Sequence, residues 1–151
     1  MPAAAEVQAA TLEKFIKGWS EWNPDGFLAT WTNDCTTTTL PFSSGVPTRN
    51  RAATERHFPV MMSFIRDFEA SDHPVHNVVH DVARGKAAIY AVTKGATPLG
   101  PYSNEHALFL WFDESGEKVQ KIEEMFDGDA MKDFLHKFNQ YVAQQNADGQ
   151  T

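Results

Sequence analysis

The sequence predicts an α+β fold, a cone-shaped barrel in which helices cover the concave face of a curved antiparallel sheet. Apolar residues at helical spacing dominate the first half of the chain, and four strand-like segments then follow one another before a last amphipathic helix. Strands that cluster after helices are typical of α+β domains, where the helices gather on one side of the sheet. Such a wrapped sheet encloses a cone with an apolar inner wall and polar residues at its mouth.

Four helices are predicted, each from an apolar stripe. The second helix has Asn23 as its cap and Pro24 at its first position, and Asp129 is the expected cap of the last helix. Pro59 has no amide hydrogen, so we expect a kink or a restart in the third helix. The stripes are Leu12, Phe15, Ile16 and Trp19; Phe27, Leu28 and Trp31; Phe58, Met61, Met62, Ile65 and Phe68; and Met131, Phe134, Leu135, Phe138, Tyr141 and Val142.

The strands are predicted from β-branched and alternating segments. A short strand covers "DCTTTTLP" and ends at Pro41, and four longer strands span residues 75–82, 86–94, 102–112 and 118–127. "ARGK" and "DESGE" are expected to form hairpin turns. Trp19, Trp22 and Trp31 are expected to pack the helices onto the sheet, where one or two of them can line the cone and stack on a flat substrate.

Length, charge and cysteine content set further limits. The 151 residues predict a single domain over residues 6–145 and a disordered tail over 146–151. The net charge of -7 argues against binding to nucleic acid or to an anionic membrane surface. We expect no signal peptide and no membrane span. Cys35 is the only cysteine, which excludes an internal disulfide and favours a reducing compartment such as the cytoplasm.

The third and fourth long strands carry the candidate catalytic residues. Side chains alternate across a strand, so Tyr102, Asn104 and His106 share one face, and Glu124 shares its face with apolar neighbours. Tyr102, His106 and Glu124 are the candidate catalytic residues, and Asn104 is a candidate substrate contact. A carboxyl group beside an imidazole and a phenol can remove a proton next to a carbonyl and stabilise the enolate. The alternative is that Glu124 lies on the outer face beside Lys121 or Lys118, with His106 a core histidine whose hydrogen bonds are satisfied.

The segment "PTRNRAATERHF" is a second candidate region, because its loop can fold over the mouth of the cone. Arg49 could hold a carboxylate or an enolate oxygen through paired donors, and Glu55 follows shortly after. The alternative is an exposed, charged start of a helix. Arg51, Arg56 and His57 are not assigned to the site.

The histidine-rich segment "SDHPVHNVVHD" does not predict a metal site. His76 and His80 lie about 13 Å apart along a strand, too far to share one ion, and His73 is on the other face. Cys35 is not predicted to be a nucleophile either. It has no basic neighbour in sequence that would activate its thiol, and it is expected to pack in the core.

Three motifs, "CTTTTLP", "GPYSNE" and "KIEEMFD", together with the order of elements, resemble the fungal branch of the SnoaL-like proteins in the nuclear transport factor 2-like superfamily. The resemblance extends from Leu12 to Phe138. Within the family, the chain is similar to small isomerases and cyclases of fungal meroterpenoid and alkaloid pathways. It implies a cofactor-free pocket and a homodimer formed through the outer sheet face. Relatives often place His or Arg before "LP", where this chain has four threonines; Thr38 is the candidate substrate contact there.

The function that this resemblance implies is a cofactor-independent isomerase or cyclase of fungal secondary metabolism. Its substrate would be a polycyclic, carbonyl-bearing intermediate that is rearranged by general acid/base catalysis. Two alternatives stay open: a dehydratase similar to scytalone dehydratase, and a non-catalytic module that binds small molecules on the same fold.

Overall fold

The computed structural model describes residues 3–72 and 78–149. Its helices are α1 (Ala5–Ser20), α2 (Pro24–Leu28), α3 (Arg51–Phe64) and α4 (Gly128–Asp148). Its strands are β1 (Trp31–Leu40), β2 (Arg49–Asn50), β3 (Arg66–Asp72), β4 (Val78–Asp81), β5 (Lys86–Thr97), β6 (Gly100–Phe112) and β7 (Val119–Phe126). No described helix is both long and apolar enough to span a bilayer.

The strands form one curved sheet in the order β2-β1-β7-β6-β5-β3, and β4 pairs with β5. The α+β class, the cone and the helices on the concave face are confirmed. One pairing differs from the antiparallel prediction, because β1 runs parallel to β7. Most of the chain separates these two strands, so no hairpin fixes their relative direction, and strand periodicity alone does not encode it.

Two apolar clusters hold the helices against the sheet. The larger one joins α1 and α2 to the concave face of β5, β6 and β7, with Phe15 and Leu110 completely buried. The smaller one joins the end of α3 to α4 around Phe64, which is also completely buried and contacts the rings of Phe134 and Phe138. Together these clusters leave an open volume between the helices and the sheet.

Of the two helix caps predicted from local sequence, one is correct and one is wrong. Asn23 caps α2 by accepting hydrogen bonds from the amides of Asp25 and Gly26, as predicted. The predicted cap of the last helix is wrong, because the Asp127 carboxylate accepts from the amides of Asp129 and Ala130. That helix continues to Asp148, into the segment predicted to be a tail.

The third predicted helix is correct in kind and wrong in extent. It begins at Arg51, capped by the Asn50 side chain, continues through Pro59 without a restart, and ends at Phe64. Phe68 lies in β3, a strand that the sequence did not predict. The backbone of Ile65 is extended, so the apolar spacing that continues to Phe68 spans a helix end. The predicted strand over 75–82 lies partly outside the described residues; within them, β4 covers Val78–Asp81.

Candidate active site

A cavity of about 390 Å³ lies between the concave sheet face and the helices. Its wall is mostly apolar and aromatic, and it includes the three tryptophans Trp19, Trp22 and Trp31. Only a few charged or titratable side chains reach it within the described residues: Arg49, His57, Tyr102, His106 and Glu124. A mostly apolar pocket with a few converging polar groups is typical of small-molecule sites.

Adjacent strands bring His106 and Glu124 together on the cavity wall. His106 of β6 is paired with Phe126 of β7, and Leu108 with Glu124, so the two polar residues are diagonal neighbours on one face. His106 Nδ1 lies 2.6 Å from Glu124 Oε1. The outward alternative is wrong for Glu124, since it is Glu123 that forms the ion pair with Lys121 at 2.9 Å. The sequence therefore predicted this juxtaposition.

Both ring nitrogens of His106 have partners. Nε2 lies 2.9 Å from the hydroxyl of Thr93, which is completely buried and also lies 3.3 Å from the backbone carbonyl of Asn104. The Thr93 hydroxyl has one proton to donate. If the Asn104 carbonyl accepts it, Nε2 must carry a hydrogen; if Nε2 accepts it, Nδ1 must carry one. In either case the short Nδ1–Oε1 contact requires a proton between the two atoms.

This arrangement leaves Glu124 as the member of the pair that can reach a bound molecule. Its side chain is 23% exposed, against 8% for His106. Among the described residues, no side chain or amide donates to its second oxygen, Oε2. Glu124 can therefore exchange a proton with a ligand, while His106 holds the carboxyl group in place through Nδ1.

Replacing Thr93 tests whether the hydrogen-bond chain positions the pair. Thr93→Val leaves Nε2 of His106 without a partner in a buried setting, so we expect turnover to fall about tenfold. The pH profile of turnover should also shift, because the ring of His106 loses its hydrogen bond at Nε2. Thr93→Ser keeps the hydroxyl and should restore both. Unchanged rate and pH profile in Thr93→Val would reduce Thr93 to a packing residue.

Tyr102 lies on the cavity wall with its ring edge against Phe134, 5.3 Å between centroids. Burial raises the pKa of its phenol, hydrogen bonding by Thr93 and Asn104 lowers the pKa, and the charge of Glu124 raises it again. The net direction is upward. The phenol therefore stays protonated at neutral pH, which is the state needed for a hydrogen-bond donor.

Asn104 shares the strand face of Tyr102 and His106 but does not line the cavity. Its side-chain oxygen accepts hydrogen bonds from the amides of Glu105 at 2.8 Å and Asp127 at 3.2 Å. The start of α4 thus covers this residue, which explains its almost complete burial. Asn104 joins β6 to the last helix instead of contacting the cavity.

Of the other three predicted substrate contacts, one lines the cavity and two lie outside it. Arg49 lines the cavity, whereas Glu55 lies outside it and pairs with Arg51 at 2.8 Å, half exposed. Thr38 also lies outside: its hydroxyl meets that of Thr48 at 2.9 Å. The two threonines on either side of Thr38 line the cavity instead, because neighbouring residues of a strand face opposite ways.

His57 lies on the cavity wall, although the sequence reasoning left it out. Burial lowers the pKa of its imidazole, and the charge of Arg49 lowers it further, so this side chain is neutral at pH 7. The missing signal was the start of the helix. With α3 beginning at Arg51, positions 54, 57, 58 and 61 fall on one helical face, and all four line the cavity.

Two other candidates lie away from this chemistry. Cys35 is completely buried, and desolvation raises the pKa of its thiol to about 12, which agrees with a packing role. His80 Nε2 lies 3.0 Å from the side-chain oxygen of Gln8. His73 and His76 lie outside the described residues. In the part of the chain that the structure describes, no group of three potential metal ligands occurs, and the prediction of no metal site stays a prediction.

Sequence comparison identifies relatives along nearly the whole chain, although no protein-family model matches it. Monooxygenase nsrQ from Aspergillus novofumigatus is 65% identical over 143 residues, which cover 95% of this chain and 93% of the relative. Monooxygenase AacuP from Aspergillus aculeatus is 59% identical over 142 residues, covering 94% and 96%. An ergochrome gene cluster protein from Claviceps purpurea is 41% identical over 141 residues, covering 93% and 90%.

Solved structures share the fold at lower identity. BvnE pinacolase from Penicillium brevicompactum has a TM-score of 0.81 at 20% identity, covering 87% of this chain and 90% of that one. PrhC from Penicillium brasilianum has a TM-score of 0.78 at 26% identity, covering 95% and 93%. A protein described as a SnoaL-like polyketide cyclase from Shewanella denitrificans has a TM-score of 0.68 at 9% identity, covering 87% and 98%. The chain therefore belongs to the family of fungal proteins that includes nsrQ and AacuP, and it shares the fold of the SnoaL-like polyketide cyclase.

Proposed function

We propose that the protein is an isomerase or cyclase that rearranges a polycyclic, carbonyl-bearing intermediate of fungal secondary metabolism by general acid/base catalysis. The observation that carries this proposal is the 2.6 Å contact between His106 and Glu124 inside a largely apolar cavity. An apolar setting keeps water away from a reactive enolate. The structural similarity to a pinacolase and to a SnoaL-like polyketide cyclase supports the same class.

In the proposed reaction, Oε2 of Glu124 takes a proton from carbon next to a carbonyl. The C–H bond breaks, its electrons form the enolate, and the phenol of Tyr102 donates a hydrogen bond to the enolate oxygen. His106 holds Glu124 in place through Nδ1. Return of the proton from Glu124 to a different carbon gives an isomer. Alternatively, the enolate carbon attacks a second carbonyl carbon of the same molecule and closes a ring, and the alkoxide that forms takes the proton back from Glu124. Neither outcome changes the composition of the substrate, and neither requires a cofactor.

A second candidate is oxygenation, which the names of the relatives at 65% and 59% identity favour. The same enolate could react with dioxygen to give a hydroperoxide. Loss of water from that intermediate would convert a CH₂ group into a carbonyl, with dioxygen as the oxidant. Glu124 would act as the base in this reaction as well, so the two candidates share a site and differ in their product.

The mass of the product separates these candidates. The intermediate that accumulates in a strain lacking the gene would be incubated with the purified protein under ¹⁸O₂. Unchanged mass supports isomerisation or cyclisation, and an ¹⁸O atom in the product supports oxygenation. Loss of water without label supports a dehydratase. Tight binding without any product would support a binding module.

We also propose a homodimer formed through the outer sheet face. Phe109 on β6 and Met125 on β7 are diagonal neighbours on that face, because Phe109 is paired with Glu123, and both side chains are about two-fifths exposed. Burial of such apolar side chains against a second copy would stabilise the assembly. We expect sedimentation velocity to give a dimer, and Phe109→Lys to shift it towards the monomer while Phe42→Lys, at another exposed phenylalanine, does not.

A further inference from the structure

The cavity has a second polar region, carried by β1, β2 and the start of α3. Four of its wall residues carry a buried polar atom that has no hydrogen-bond partner within the described part of the chain. These atoms are Trp31 Nε1, Thr37 Oγ1, Arg49 Nε and Thr54 Oγ1. We call these four residues the donor cluster, because the indole and guanidinium nitrogens only donate hydrogen bonds and both hydroxyls can do so.

Three neighbouring elements, β1, β2 and the start of α3, carry the donor cluster. Thr37 on β1 is paired directly with Arg49 on β2. The backbone carbonyl of Trp31 accepts from Arg51 Nη1 at 2.7 Å, which ties β1 to the start of α3, and Thr54 lies one turn further along that helix. Trp31, Thr37 and Thr54 are each more than nine-tenths buried.

Buried polar atoms normally have partners, so four unpaired donors in one cavity wall require an explanation. A ligand that brings oxygen acceptors would supply the missing partners. Arg49 adds a positive charge, and no described carboxylate forms an ion pair with it. The imidazole of His57, close to Arg49, is neutral at pH 7 and therefore adds no second positive charge that would attract an anion. The ligand group that fits this region is therefore an anionic oxygen group.

We propose that the donor cluster binds a carboxylate of the substrate and thereby selects acidic substrates. On the sheet, Arg49 is paired with Thr37, Thr37 with Ile122, and Glu124 lies two residues further along β7. Strand spacing puts the Cα atoms of Arg49 and Glu124 roughly 12 Å apart. This inference rests on the proposed function for the reacting end of the molecule: the enolisable carbon would lie at Glu124 and the carboxylate at Arg49.

The test uses a matched pair of probes, 2-naphthoate and its methyl ester, and isothermal titration calorimetry. We expect the wild-type protein to bind the acid more tightly than the ester. Arg49→Gln should weaken binding of the acid roughly tenfold or more and change binding of the ester little. Arg56→Gln is the matched control, since it removes the same charge from an exposed position of α3 that does not line the cavity.

Thr54→Val is a second variant, which separates a loss of binding from a loss of folding. The substitution removes an unpaired buried hydroxyl, so the melting temperature should stay the same or rise while the affinity for the acid falls. A structural role alone would move both in the same direction. Equal affinity for acid and ester in the wild-type protein, or an acid affinity that Arg49→Gln leaves unchanged, would overturn the proposal.

Glu124→Gln distinguishes failure of this inference from failure of the proposed function. The variant should keep the preference for 2-naphthoate over the ester, because the donor cluster is intact. If turnover also persists in Glu124→Gln, the acid/base mechanism is wrong and the carboxylate subsite stands. If turnover is lost but the wild-type protein shows no preference for the acid, the mechanism stands and the subsite is wrong.

Discussion

Glu124→Gln is expected to lower turnover by about 100-fold to 10,000-fold while the protein stays folded. The amide has nearly the same shape as the carboxyl group but cannot accept the proton from carbon. It can still form a hydrogen bond with Nδ1 of His106, so the 2.6 Å contact can be replaced without collapse of the cavity wall. The measurement is the rate of product formation with the accumulated intermediate, together with the melting temperature of the variant.

Glu123→Gln is the matched control for this substitution. Glu123 is adjacent in sequence, carries the same group, and forms an ion pair with Lys121 away from the cavity. We expect turnover to remain within about twofold of the wild type, because Glu123 does not line the cavity and the amide can still accept a hydrogen bond from Lys121. Similar losses in both variants would point to a general effect of charge instead of a base at Glu124.

Phe64→Ala is expected to have the largest effect on stability, a loss of about 3–5 kcal/mol in the free energy of unfolding. The ring is completely buried at the end of α3, where its centroid lies 5.8 Å from that of Phe134, 5.4 Å from Phe138 and 5.0 Å from Tyr141. Removing it leaves a hole between α3 and α4. Denaturant unfolding with linear extrapolation measures the change.

Phe42→Ala is the control, because the Phe42 side chain is 73% exposed. It should change the free energy of unfolding by no more than about 0.5 kcal/mol. A loss of under about 1 kcal/mol in Phe64→Ala would mean that α4 is not anchored through this residue. Since Phe134 and Leu135 of α4 line the cavity, the variant should also weaken binding of 2-naphthoate.

The parts of the fold and site that were predictable depend on local rules. Asn23 before Pro24 fixes a helix start through hydrogen bonds that need no tertiary information. His106 and Glu124 were predicted on one face because alternation along two long, consecutive strands of a hairpin leaves little freedom in their register.

The parts that were missed depend on tertiary contacts. β3 forms because its backbone pairs with β5, although Ile65 and Phe68 continue a helical spacing. Alternation in β1 separates Thr38 from its neighbours but does not say which set faces inward, and the structure turns Thr37 and Thr39 to the cavity. Asn104 lies on the predicted face of β6, yet the start of α4 covers it.

The central claim is that Glu124 removes a proton from carbon next to a carbonyl inside the cavity. Turnover of the accumulated intermediate, unlabelled and deuterated at that carbon, tests it most directly when the products are analysed by NMR. We predict that wild-type turnover removes deuterium from that carbon and is slower for the deuterated substrate, and that Glu124→Gln does neither at a measurable rate. Product formed by Glu124→Gln at the wild-type rate, or a wild-type product that keeps its full deuterium content at that carbon, would contradict the claim.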